Sequence, residues 1–259
     1  PFGCYTPDLH AMAAWLRDCG ITTIAMESTG VYWVPVFQVL ETYGFEVKLV
    51  DAHHVKNVSG RKSDVSDCQW LQQLHSVGLL AAAFRPEQAI CVLRGYCRQR
   101  EHLVQSCAQH IHLMHKALEQ MNLQLHKAIS DVTGVTGFKI IRAIVAGEHD
   151  PKVLVKHRHS QVKSSPQTIV DALTGDYRPE HVFALKQAVE LYDVFQQKLE
   201  DCDEQIQAHL ATFERRAEAE TLPPHRNKTK GKRRKNEPYF DLRKALYEVS
   251  GVDLTQIDG

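Results

Sequence analysis

The chain has 259 residues, 43% hydrophobic and 24% charged, so it can bury a core, and wholesale disorder is excluded. Its 31 Lys and Arg balance 31 Asp and Glu, which rules out a histone-like polycation but not a nucleic-acid partner, because that depends on clustering rather than on the sum. No apolar run approaches the roughly 20 residues of a membrane span, and the opening Pro1-Phe2-Gly3-Cys4 lacks the basic and apolar stretches of a signal peptide.

In chain order, Leu9, Met12, Ala13 and Leu16 recur at helical spacing over residues 8–19, and Gly20 follows as a stop. Ile21 to Met26 is a short β-branched and apolar run that predicts a buried strand. Val36, Phe37, Leu40 and Tyr43 mark a second helix stopped by Gly44, and Phe45 to Val50 predicts a second strand. After a loop, a third helix is expected from about Ser63, carrying Trp70, Leu71 and Leu74. This alternation predicts a parallel strand pair with helical crossovers, an α/β layer.

The next segment changes period. Leu93, Cys97, Arg100, Val104, Cys107, Ile111, Met114, Leu118, Met121 and Leu125 are spaced alternately by four and three, and only Arg100 breaks an apolar seam. A second seam holds Leu185, Ala188, Tyr192, Phe195, Leu199, Cys202, Ile206, His209 and Phe213. Two long helices are therefore expected as an antiparallel coiled-coil hairpin, with a small helical insert over 127–182. Residues 222–238 form a linker between Pro223-Pro224 and Pro238, with Arg226, Lys228, Lys230, Lys232, Arg233, Arg234 and Lys235 and no acid among them. Two readings stand for it: a solvated connector and a phosphate-binding arm.

Three acids stand out. Glu27 follows the first strand, and Asp64 and Asp67 fall in the first turn of the third helix. An i,i+3 pair shares one helix face, and a strand's C-terminal end faces the crevice where α/β ligands bind. Together the three could hold Mg²⁺, which takes hard oxygen ligands. Equally, Asp64 and Asp67 could simply complement the helix dipole, and Glu27 could simply end a strand.

The surrounding residues carry a resemblance. Glu27-Ser28-Thr29-Gly30-Val31-Tyr32-Trp33 is followed by Gly60-Arg61-Lys62-Ser63-Asp64-Val65-Ser66-Asp67, then Gln69-Trp70-Leu71, Leu93-Arg94, Arg98-Gln99-Arg100-Glu101, and finally Gly251-Val252-Asp253-Leu254-Thr255-Gln256-Ile257-Asp258-Gly259. The chain resembles the DEDD transposases of bacterial insertion sequences. The resemblance implies an RNase H-like (RuvC-like) domain with four acids in the order Asp, Glu, Asp, Asp, of which Glu27, Asp64 and Asp67 match the last three. The first Asp belongs to an earlier strand, and the family's nucleophilic serine to a domain beyond Gly259. With no initiator Met and an abrupt end at Asp258-Gly259, the chain reads as a fragment.

The resulting expectation is an α/β plus α protein. Residues 1–85 would be a partial RuvC-like domain, 86–221 the coiled-coil helices with their insert, 222–238 the basic linker, and 239–259 the start of the C-terminal transposase domain. The implied function is a transposase that rearranges DNA with Mg²⁺ (or Mn²⁺) held by Glu27, Asp64 and Asp67. An inactive remnant that only binds nucleic acid and dimerises is the alternative. Expected nucleic-acid contacts are Arg61, Lys62, Arg94, Arg98, Lys232, Arg233, Arg234 and Lys235. Expected partners are DNA, a structured guide RNA and further copies in a homodimer or higher oligomer, in the bacterial cytoplasm at the nucleoid and without a membrane.

Other residues point elsewhere. Seven cysteines, with no C-x-x-C pair, argue against a disulfide framework or zinc ribbon and for a reducing compartment; Cys97, Cys107 and Cys202 read as small core residues. His110, His112 and His115 are spread around their helix rather than converging. Arg94, Arg98 and Arg100 line a stripe for which Glu101 is a ready partner. Val132-Thr133-Gly134-Val135-Thr136-Gly137 before an apolar helix is similar to a helix–hairpin–helix phosphate clamp, and no function is assigned to it.

Overall fold

A computed structural model describes residues 1–28, 30–50, 64–224 and 236–257; the side chains at 64–67 lie outside the described set. The chain divides into two compact units, residues 1–88 and 89–259.

The first unit runs α1 (Thr6–Asp18), β1 (Thr23–Glu27), α2 (Trp33–Thr42), β2 (Glu46–Val50) and α3 (Asp64–Ser76). The strands pair in parallel, in register from Thr23 opposite Glu46 to Glu27 opposite Val50, as the alternation of patterns predicts. Both strands begin later than their apolar runs, for the same reason. Gly20 and Gly44 take positive φ, +75° and +82°. Beyond each, the next residue still bonds back to its helix, Ile21 N to Leu16 O (3.1 Å) and Phe45 N to Leu40 O (3.2 Å). These are Schellman closures, so Ile21 and Phe45 belong to the helix ends. The small core of this unit centres on Ala13, Leu40 and Phe45.

The second unit is helical: α4 (Gln88–Gln120), α5 (Leu125–Ala128), α6 (Val135–Val145), α7 (Pro151–Leu154), α8 (Pro166–Ala172), α9 (Pro179–Leu210) and α10 (Leu242–Ser250). Contacts between α4 and α9 fall in opposite order along the two helices. His209 Nε2 meets Ala89 O at 2.8 Å, Cys202 Sγ donates to Tyr96 O, Arg100 pairs with Asp203, Gln196 Nε2 donates to Cys107 Sγ, and the His110 and Phe195 rings lie 5.1 Å apart. The two long helices are thus antiparallel. The α9 seam is buried at Leu185, Ala188, Tyr192, Leu199, Cys202 and Ile206. The α4 seam is buried only from Cys107 onward, at Met114, Leu118 and Met121; Cys97 is exposed. The helix α9 starts at Pro179, where the fixed φ and missing N–H of proline suit the first helical position. The insert wraps Ile140, Ile141, Ile144, Leu154, Ile169 and Leu173, all fully buried, against the long helices.

Arg100 does not pair with Glu101. Its guanidinium donates twice to Asp203, which is 1% exposed and also accepts from Tyr239 N at 3.0 Å. The seam's one charge is matched across the helix pair and ties down the segment at 239. A second pair, Arg243 with Asp253, fastens the other stretch: Arg243 Nη2 reaches both Asp253 (2.6 Å) and Pro223 O (2.6 Å).

Candidate metal centre and nucleic-acid residues

Glu27 ends β1 and is half-buried. The turn beyond it is held to the neighbouring strand. Ser28 N and Oγ both donate to Val50 O, at 2.9 and 3.1 Å. Gly30, at φ +57°, turns the chain, and its carbonyl accepts from Trp33 Nε1 at 3.1 Å. The Trp33 ring in turn packs edge-on against Phe37 of α2. The strand end carrying Glu27 is therefore fixed in place on the C-terminal edge of the sheet.

Helix α3 packs on β1. Near its C-terminus, His75 Nε2 lies 2.9 Å from Thr23 Oγ1, at the beginning of β1. In a parallel crossover the helix runs antiparallel to the strands; in that direction the first turn of α3 would lie towards the strand end of Glu27. The side chains of Asp64 and Asp67 are outside the described residues. Among the described residues no group of three or more His, Cys, Asp or Glu forms a metal cage. The donor set itself, three carboxylates and no thiolate or imidazole, has the hard-oxygen chemistry that Mg²⁺ takes.

The basic residues divide. Arg94 and Arg98 lie one helical turn apart on α4 and are exposed, with no ion-pair partner among the described residues. Arg100, from the same stripe, is turned inward to Asp203. Arg61, Lys62, Lys232, Arg233, Arg234 and Lys235 lie outside the described residues.

Cys107 and Cys202 are buried as the sequence reading expects, whereas Cys97, read with them as a core residue, is exposed. Burial pushes the Cys107 and Cys202 thiols up, which disfavours the thiolate a nucleophile needs. His110 Nδ1 meets the Ser106 carbonyl within its own helix. Burial, then the neighbouring His126, holds His115 below its ordinary value. Two features escaped sequence reasoning. Asp203 lies beside a seam position, and its partner is 103 residues away in the chain. Asp253, within the Gly251–Gln256 stretch, accepts from Arg243, from the Thr255 backbone and hydroxyl, and from Gln256. The Arg243 guanidinium, followed by those smaller donors, holds the Asp253 carboxyl well below the usual range.

A family model described as Transposase, of the DEDD type found in IS110 elements, matches residues 4–123. Residues 4–123 are thus similar to the DEDD transposase family. The match takes in every described element of the α/β unit, with the strand end at Glu27 and the first turn of α3, and all of α4. Comparison with curated proteins gave no match. Among the described residues no helix is long and apolar enough to cross a membrane.

Proposed function

We propose that the chain is the catalytic and helical part of a DNA transposase in which Glu27, Asp64 and Asp67 hold Mg²⁺ or Mn²⁺. The observation that supports this reading is the contact of His75, near the C-terminus of α3, with Thr23 at the start of β1; an antiparallel run of α3 along β1 would aim the turn with two aspartates at the strand end with the glutamate. The family match over residues 4–123 supports the transposase class. When bound, the metal supplies Lewis-acid activation of a nucleophile and charge stabilisation at a phosphodiester's leaving oxygen. The protein's own part is placement. The Ser28–Val50 bonds and the Gly30 turn keep Glu27 at the sheet edge, and the helix turn keeps Asp64 and Asp67 on one face. Arg94 and Arg98, exposed one turn apart, suit contact with phosphates, and Arg61, Lys62 and the run Lys232–Lys235 add cations of the same kind. DNA is the substrate, with a structured guide RNA and further copies of the chain as partners; the helix pair α4–α9 is the coiled-coil region of that assembly.

Calorimetric titration with Mn²⁺ tests the metal site. The native chain is expected to bind, and Glu27→Gln and Asp64→Asn are each expected to abolish binding while leaving the far-ultraviolet circular dichroism unchanged. Equal binding by all three proteins would overturn the assignment.

A further inference from the structure

The helical insert carries a second cationic surface, remote in sequence from the linker run and from Arg94 and Arg98. Residues 151–165, Pro-Lys-Val-Leu-Val-Lys-His-Arg-His-Ser-Gln-Val-Lys-Ser-Ser, contain no acid. Lys152, Lys156, His157, His159 and Lys163 are all exposed. In a chain of zero formal net charge, this is a local excess.

Three observations characterise this surface. First, it is rigidly built. Leu154 is fully buried beneath it, and Val155 and Val162 pack on the core. Arg158 is used as an internal clamp, its guanidinium donating to the carbonyls of Val162 (2.5 Å) and Ser164 (3.0 Å). Ser164 Oγ bonds to Ala128 O, and His159 N to Thr136 Oγ1 at 3.1 Å. The exposed cations thus stand on a fixed backbone, so a ligand meets them with little ordering cost.

Second, ion pairing in this unit is uneven. Lys186 pairs with Glu190, Lys198 with Asp201, Arg142 with Asp193 and Arg178 with Asp176, whereas Arg94 and Arg98 have no such partner among the described residues. None of Lys152, Lys156 and Lys163 has an ion-pair partner among the described residues. Third, acids that precede this stretch in the sequence accept from the backbone. Asp150 caps α7 by accepting from Lys152 N, Glu148 accepts from Asp150 N, and Asp131 accepts from Thr133 N and Oγ1.

We infer that the exposed face of residues 151–163, through Lys152, Lys156 and Lys163, binds the phosphate backbone of a nucleic acid. Positive side chains without acids, on a rigid loop that carries the exposed Ser160, suit a polyanion whose phosphates accept from ammonium and hydroxyl groups alike. Nothing here reads bases, so the contact is one of position and affinity rather than of sequence. The inference rests on the reading of the chain as a nucleic-acid-handling protein and names a surface that reading does not supply.

The test is fluorescence anisotropy on the full chain, with a labelled DNA duplex and a labelled RNA hairpin, between about 50 and 200 mM salt. The native chain is compared with the triple variant Lys152→Gln, Lys156→Gln, Lys163→Gln, and with a control, Lys186→Gln, Lys198→Gln, whose lysines are paired. Each phosphate contact contributes a slope of about 0.9 in log affinity against log salt on duplex DNA, so three lost contacts remove about 40-fold of the native chain's salt sensitivity over that range. The expected result is this flattening in the triple variant and none in the control, at unchanged circular dichroism. Flattening with RNA alone, with DNA alone or with both identifies which polymer the surface takes. Native-like slopes for both polymers in the triple variant would overturn the inference and leave the face to solvent or to an acidic protein. Failure of the native chain to bind either polymer would overturn the underlying reading as well.

Discussion

The two units are stabilised very unequally. Residues 89–259 bury a continuous apolar core from Leu103 to Leu210, and their buried charges are answered: Asp203 by Arg100 and Tyr239 N, Asp253 by Arg243 and Thr255. Among the described residues, the core of residues 1–88 is smaller: a cluster of Ala13, Leu40 and Phe45, with Leu9, Phe37, Leu49, Val50 and Leu71 also buried. Tyr5, Val31, Tyr32, Leu79 and Phe84 are each more than 70% exposed there. Among the described residues, the two buried side-chain polar atoms without a partner, Trp70 Nε1 and His75 Nδ1, both lie in this unit, and each such orphan costs about 1–3 kcal/mol. The candidate carboxylates belong to the weakly packed unit, and the long helices to the strongly packed one. Functional elements are commonly drawn from the low-stability end of a fold. Here the separation can be measured, because Trp15, Trp33 and Trp70 are the only tryptophans and all three fall within residues 1–88. Tryptophan fluorescence reports on the first unit, and helical circular dichroism chiefly on the second.

The largest expected effect breaks the stronger unit. Asp203→Ala leaves the Arg100 guanidinium, 16% exposed, without its partner, and should cost about 3–5 kcal/mol. Denaturant unfolding followed by circular dichroism should show it, with the tryptophan transition unmoved. Replacing both partners, Arg100→Met with Asp203→Leu, should recover most of the loss. Next come matched core truncations. Ile141→Ala and Leu40→Ala each remove a side chain no more than 1% exposed and should each cost about 2–5 kcal/mol. Ile141→Ala should shift only the circular-dichroism transition. Leu40→Ala should abolish the cooperative tryptophan transition, because that core has so little else to lose. A single shared transition for both variants would erase the distinction between the units. Smallest is the pH effect at Asp253. Its folded-state carboxyl is held below the ordinary aspartate value of 3.8. Its contribution is therefore complete above that value and is lost as the pH falls below it towards the lowered folded value. Asp253→Asn should be less stable than native at neutral pH, and the gap should close as the pH falls below about 3.8. A gap independent of pH would show that the carboxylate charge is not what matters.

Local signals read well where their cause is local. The helix–strand alternation was legible because Gly20 and Gly44 punctuate it, and the strands' late starts follow from those same glycines closing Schellman caps. The buried face of α9 was legible because its apolar spacing persists from Leu185 to Ile206. The partner of Arg100 was not legible. Glu101 is adjacent in sequence, but Asp203 is adjacent in space, and only the antiparallel pairing of α4 with α9 brings it there. The cationic loop at 151–163 was hidden inside an insert read for its turns. Its signal was the run without acids, which becomes informative only once Arg158 is seen to face inward and the lysines outward. Of the candidate centre, residue types and spacing were legible. The contact of α3 with the start of β1 was not, because it joins His75 to Thr23, 52 residues apart.

The central claim is that Glu27, Asp64 and Asp67 form one metal site in the less stable unit. Tryptophan-monitored thermal melting with and without Mg²⁺, on the native chain and on Asp64→Asn, tests it most directly. With Mg²⁺ at one hundred times its Kd, a site on the native unit stabilises it by about 2.7 kcal/mol, which for a unit of this size raises the tryptophan transition by about 10–20 °C. The account predicts that rise in the native chain, none in Asp64→Asn, and no movement of the circular-dichroism transition of residues 89–259. An equal Mg²⁺ effect on the native chain and on Asp64→Asn, or no effect on either, would contradict it.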